Sequence, residues 1–357
     1  MELTLNPLFS SGCVLQRGKP LRVFGGCSGA AEGDMLTAEF SSAGGSFSVS
    51  GAMHISPPYS DGSVCGFTAV LPPLTAGGPY EVSISVRGME AARLSGVMIG
   101  ETLLCSGQSN MQMELRYTDT PDGAFPGNSA VPRGGLRMFR VSRPEGDTGI
   151  DGRWLKADQS DVGRWSAVGY ILGCMINGFA GVPVGIVDCC QGASVIQSWM
   201  TREAITNAGL DLPPDRLFID HSYYPFNPPQ YLYDRMLRRA LPFTAGCAVW
   251  YQGESNTSPD EARLYGRMLE TLISSWRRDM YDDALPFLIM QIHNYECSEP
   301  RLSPWKAIQR AQKSIRVRSA MCSICDDMPP DPEIHPKNKY EYSRRAFEVW
   351  KALRNPL

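Results

Sequence analysis

No apolar run in this 357-residue chain reaches the roughly 18 residues of a membrane-spanning helix, so no spanning segment is expected. A surplus of one charge is missing too. Lys and Arg number 34 against 37 Asp and Glu, and a net charge of −3 supplies neither a basic footprint for nucleic acid nor a polybasic patch for a membrane surface. The opening Met1, Glu2, Leu3 and Thr4 lack the charged and apolar regions of a signal peptide, so the expected location is cytoplasmic, or secreted had a leader been removed. Cysteine is present, but not as a framework. Eleven residues scattered from Cys13 to Cys325 make an odd count in a long chain, which argues for free thiols in a reducing compartment. Cys322 and Cys325 match C-x-x-C inside a run that reads as a strand, where residues three apart point to opposite faces, and adjacent Cys189 and Cys190 face the same objection. No metal site is expected. Histidine is scarce, with only His54, His221, His293 and His335 to choose a general base from.

What is present divides at about residue 96. Length alone suggests about two domains. Residues 1–96 hold short alternating runs punctuated by Gly, Ser and Pro; in the clearest, Tyr80, Val82, Ile84 and Val86 share one face, and the expectation is a small N-terminal β-sandwich. In residues 97–357 apolar strands alternate with helical patterns, which implies βαβ units and a mainly parallel α/β sheet. Strands are expected at 97–104, 184–189, 247–251, 287–292 and 320–325. Ser258, Pro259 and Glu261 start a helix with a capping box, and Ala262, Tyr265, Leu269, Leu272 and Trp276 form its core face. A second helical segment runs from Lys339 to Leu353. The Pro- and aromatic-rich stretch 213–229 reads as a long ordered loop that could wall a substrate site.

The richest segment is Cys105, Ser106, Gly107, Gln108, Ser109, Asn110 and Met111, which places a serine on a glycine turn directly after an apolar strand. In an open parallel sheet ligands bind beyond the carboxyl ends of the strands, so Ser109 is placed where a nucleophile would sit. Met111 stands where G-x-S-x-G needs its second glycine, which excludes that elbow. Three other segments carry polar residues at strand ends: Pro183 to Asp188 with Gly192 and Trp199, then Trp250 to Asn256, then Ile334 to Lys339. Together, in this order, they resemble the SGNH/GDSL hydrolase superfamily in its sialate O-acetylesterase-like branch. The resemblance implies an SGNH-type, flavodoxin-like three-layer domain and a serine esterase that removes O-acetyl groups from carbohydrates through an acetyl-enzyme. An acetyl-xylan or other hemicellulose acetylesterase is the alternative, and a non-catalytic carbohydrate-binding protein is the alternative of another class. An acetylated carbohydrate is the one partner implied, no cofactor is required, and the oligomeric state is not legible.

A serine hydroxyl needs a proton acceptor within reach. His335, between a loop and a helix, holds the position the family motif gives the base, with His293 in reserve as a polar residue lining the crevice. Ser106, Ser194 and Ser255 compete with Ser109, but it is Ser109 that follows the turn glycine. The oxyanion of an ester's tetrahedral intermediate needs preorganised donors. The backbone N–H groups of Ser109 and Gly192 are expected to supply two, and the resemblance makes Gln252 the third. Gln108, Asn110 and Glu254 are supporting residues, Glu254 as an anchor for its loop more than as a contact to sugar hydroxyls. The chain departs from the superfamily at the acid, since Pro332 occupies the place of the carboxylate in D-x-x-H. Asp331, Glu333 or no acid at all, as in a Ser-His dyad, remain open, with Asp331 ranked slightly first because it has more chain with which to fold back.

Overall fold

Leu103, Leu104, Cys105, Val249, Trp250 and Tyr251 are all buried, and successive side chains fall into two different apolar clusters on opposite faces of one sheet. Such strands can only be central. The computed structural model describes residues 1–57, 65–120, 135–144, 146, 149–213, 216–217 and 224–354, and it is a mixed α/β chain with a large, mainly sheet core. The strands are β1 (Glu2–Leu5), β2 (Val14–Gln16), β3 (Leu21–Ser28), β4 (Met35–Ser42), β5 (Gly45–Ser56), β6 (Cys65–Leu71), β7 (Gly77–Val86), β8 (Met89–Gly107), β9 (Leu136–Arg140), β10 (Trp154–Lys156), β11 (Val184–Cys190), β12 (Cys247–Tyr251), β13 (Phe287–Met290) and β14 (Ala320–Ser323). The helices that position the site are α1 (Ser109–Gln112), α2 (Ala167–Ala180), α3 (Pro259–Asp279), α4 (Glu299–Lys313) and α5 (Lys339–Arg354).

The five strands expected after residue 96 are present, and they run parallel in the order β11-β8-β12-β13-β14. Beside β11 lie parallel β9 and antiparallel β10, which the apolar pattern did not announce. From β8 the chain first builds outward through β9 and β11 on one side, then crosses to β12 on the other. The reversal opens a crevice at the carboxyl end of β8, where Ser109 follows. Residues of α2 and α5 cover one face of this sheet and residues of α3 and α4 the other. The start of α3 follows its signals: the Ser258 hydroxyl accepts from the Glu261 amide, Pro259 occupies the first turn, and the five expected core residues are buried.

The N-terminal strands pair antiparallel in the order β1-β3-β6-β5-β4-β7-β8, with β2 parallel to β8. Strand β5 bridges two partners, pairing with β4 through residues 45–52 and with β6 through 53–56. Residues 96 and 97 lie inside β8, whose first part pairs with β7 and whose last part pairs with β11 and β12. Val82, Ile84 and Val86 join the same apolar cluster as Trp276 and Trp305, so the N-terminal strands and the α3–α4 face share one core.

Candidate active site

Strand β8 ends on Gly107 with φ +129°, and a Cβ there would lie 2.1 Å from the Tyr251 carbonyl oxygen. Only glycine lets β8 close on β12 while the chain turns upward into α1. Gln108 then ties the two strand ends together: its amide oxygen accepts from the Gly253 and Ser255 N–H groups at 3.2 and 3.1 Å. Ser109 emerges half-buried on the wall of a cleft of about 650 Å³ that also presents Gly192, Gln112, Arg143, Tyr224 and His335. Two of the expected residues, Ser109 and His335, therefore meet in one cavity although they stand far apart in the chain. Among the described residues no hydrogen bond joins their side chains, a looseness common before substrate is bound. The competing serines are elsewhere: Ser106 is buried inside β8, Ser194 accepts from the Trp199 indole at 3.0 Å, and Ser255 is buried behind Gln108.

Gly192 presents its backbone N–H to the carboxamide oxygen of Gln112, a residue whose sequence context carries no signal of its own. A Cβ on Gly192 would meet that oxygen at 2.9 Å and the Ser109 Cβ at 3.6 Å. The amide thus already holds a carbonyl-type oxygen beside Ser109. Beneath this loop, Arg143 donates to the Cys190 carbonyl at 2.9 Å and contacts Asp188, which also binds Arg140 at 2.8 Å. Burial raises the Asp188 carboxyl, but the two guanidiniums outweigh it and hold the group below its ordinary range.

Gln252 takes a different position from the one a cleft-lining donor needs. It is fully buried; its Nε2 donates to the Ser194 carbonyl at 3.0 Å and to Asn256 Oδ1 at 2.7 Å, while its oxygen accepts from Tyr265 at 2.8 Å. Glu254 is buried as well, out of reach of a sugar, with burial raising its carboxyl above the ordinary range and Asn110 donating to it at 2.6 Å. His293 does not line the crevice: it is fully buried, packed edge-on against Trp305, and burial followed by Lys339 lowers its imidazole to about 4. His54 is exposed beside Glu32, and His221 lies outside the described residues. Tyr224 and Phe226, stacked at 5.1 Å, bring the described end of the Pro-rich loop to the cleft wall.

Around His335, burial and then the Lys339 ammonium hold the imidazole below its ordinary value, with Glu333 opposing. Among the described residues neither carboxylate is hydrogen-bonded to its ring. The Asp331 carboxylate instead accepts from the Glu333 N–H at 2.8 Å, so it folds forward onto its own loop and not onto the imidazole.

A family model described as carbohydrate esterase, sialic acid-specific acetylesterase, matches residues 100–342. The sialate O-acetylesterase of Rattus norvegicus is 23% identical over 334 residues, covering 77% of this chain and 61% of that protein; its Mus musculus counterpart is 25% identical with the same coverage. The chain thus spans about three fifths of the length of these curated relatives. The crystal structure of a carbohydrate acetylesterase from Xanthomonas citri superposes with a TM-score of 0.75 at 27% identity, covering 98% of this chain and 75% of that one.

Proposed function

We propose, from the premise that this chain belongs to the sialic acid-specific acetylesterase family of carbohydrate esterases, that it is a serine esterase that removes O-acetyl groups from carbohydrates. The observation that carries this reading is the cleft in which Ser109 and His335 face the Gly192 N–H, itself occupied by the carboxamide oxygen of Gln112. That oxygen marks a place for the acyl oxygen of an ester. Ser109 Oγ attacks the acetyl carbonyl while His335 takes its proton, and the Ser109 and Gly192 N–H groups stabilise the oxyanion once Gln112 has yielded. The same imidazole, now protonated, gives its proton to the departing sugar oxygen as the ester C–O bond breaks, then activates the water that hydrolyses the acetyl-enzyme. No cofactor enters these steps. Gln252, with its donors engaged, serves this scheme by holding the Ser194 and Asn256 loops, and Glu333 acts on the base only through its charge, with no hydrogen bond to the ring, which makes the site nearer a dyad than a triad.

The finer architecture we infer is an SGNH-type, flavodoxin-like layered domain carrying an N-terminal β-sandwich; the strand order around β8 and the helices on both sheet faces support the first part. The names of the rat and mouse relatives favour an O-acetylated sialic acid as substrate, and the Tyr224–Phe226 stack offers an aromatic wall for a sugar ring. Acetate release from 9-O-acetylated sialic acid, acetylated xylo-oligosaccharides and a chromogenic acetate ester tests the reading. Release from the sialic acid is expected; release from the xylo-oligosaccharides alone would move the substrate to hemicellulose, and no turnover of any ester would overturn the esterase.

A further inference from the structure

Asn110, directly after the nucleophile, is completely buried and binds three residues on two other segments, the loop after β12 and the stretch that leads into α5. Its Nδ2 donates to Glu254 Oε1 at 2.6 Å and to the Ile334 carbonyl at 3.0 Å, and its Oδ1 accepts from Lys339 Nζ. Ile334 is the residue before His335. One carboxamide thus fastens the loop of the general base to the chain that carries Ser109.

A carboxamide can be turned over, exchanging donor and acceptor ends with little change in shape, and the wrong orientation would break all three contacts. An ammonium has only donors, so Lys339 accepts no hydrogen from Asn110 and fixes the oxygen end toward itself. The NH2 end must then face Glu254 and Ile334. Resting on the reading of Ser109 and His335 as nucleophile and base, we propose that Lys339 is a positioning residue for the esterase reaction, setting the orientation of Asn110 and through it the approach of His335 to Ser109.

The location of Lys339 is otherwise costly. It is wholly buried, and it opens α5, where the helix dipole disfavours a cation. Glu254 on the other side of the Asn110 amide compensates, and the rings of Tyr251 and Tyr342 lie 5.7 and 5.9 Å from the ammonium. Burial nevertheless brings the amine down to about 7, with Glu254 and Asp331 opposing. The charged groups that face His335 are Lys339 on α5, Glu333 in its own loop, His293 beyond β13, and Arg116, Glu114 and Arg143 across the cleft.

The test compares Lys339→Met, which keeps the length and removes the donors, with Lys339→Gln, which keeps an N–H. We expect Lys339→Met to lower kcat by about 10²-fold with KM within about threefold, since a misplacement near 1 Å costs that much. Its acid limb should move up toward the ordinary imidazole value because the neighbouring cation is gone, while Lys339→Gln recovers at least about tenfold of the lost rate. Folded Lys339→Met with unchanged kcat and an unmoved acid limb would overturn the proposal. If Lys339→Met does not fold, Lys339→Gln decides alone: a rate loss no greater than about tenfold supports the donor role, and a larger loss overturns it. Ser109→Ala run alongside separates the two levels, because activity surviving in that variant would sink the esterase reading itself, whereas its loss leaves Lys339 judged on its own variants.

Discussion

An imidazole acts as a general base only when unprotonated, so on the proposed reading of His335 as the base the groups around it decide where activity is lost in acid. Burial and Lys339 both disfavour the imidazolium, and together they exceed the pull of Glu333. The His335 imidazole therefore stays neutral to lower pH than a free histidine. The acid limb of kcat/KM is expected to have its midpoint below about 6.5; a midpoint above that value would mean that the ring is paired with a carboxylate in the working state. Substitution gives the same answer from another direction. Because the Asp331 carboxylate is turned to the Glu333 amide, Asp331→Asn should cost less than about tenfold in kcat/KM, and Glu333→Gln should cost more than Asp331→Asn. A loss of about 10²-fold in Asp331→Asn would make it a triad acid. Residue by residue, the sequence was legible where chemistry has a distinctive pattern. Ser109 after its turn glycine and His335 in its motif were marked by pattern and line one cleft, whereas Lys339 stood only as the last residue of a motif segment with no part of its own and Gln112 reads like a polar residue of a short helix. Their roles come from what packs on them, which no local pattern records.

At the scale of elements, periodicity located the parallel strands because β11, β12, β13 and the last part of β8 are buried on both faces and so nearly continuous in apolar residues. Strand β9 escaped because Leu136 to Arg140 carries two arginines, both buried: Arg137 donates to the Gly12 and Gly96 carbonyls, and Arg140 is paired with Asp188. A charge that finds its partner on another element is invisible to hydropathy. The loop after β12 shows the same limit, since the family pattern pointed to an amide donor and the fold shows Gln252 with its hydrogens committed to Ser194 and Asn256. Gln252→Ala is expected to destabilise the fold by about 1–3 kcal/mol, the cost of leaving buried partners unmet, which thermal or urea unfolding would read. A variant that turned over substrate about 10²- to 10³-fold more slowly, with stability and KM unchanged, would instead return Gln252 to the oxyanion.

At the scale of the molecule, one long strand organises the rest. Strand β8 begins among the antiparallel N-terminal strands, passes to the centre of the parallel sheet and delivers Ser109 at its end, while β11, β12 and the loop before α5 bring Gly192, the Glu254 anchor and His335 to the same point. Sequence read the change of pattern near residue 96 as a boundary; in the fold the hydrogen-bonded strand and the shared apolar core run through it, because a change of pairing partner alters the periodicity without interrupting the chain. The most direct measurement is turnover of a chromogenic acetate ester by purified, folded Ser109→Ala beside the unaltered protein and Ser106→Ala. The account expects Ser109→Ala to lose about 10⁴-fold or more in turnover rate while Ser106→Ala stays active; near-normal turnover in Ser109→Ala would contradict it.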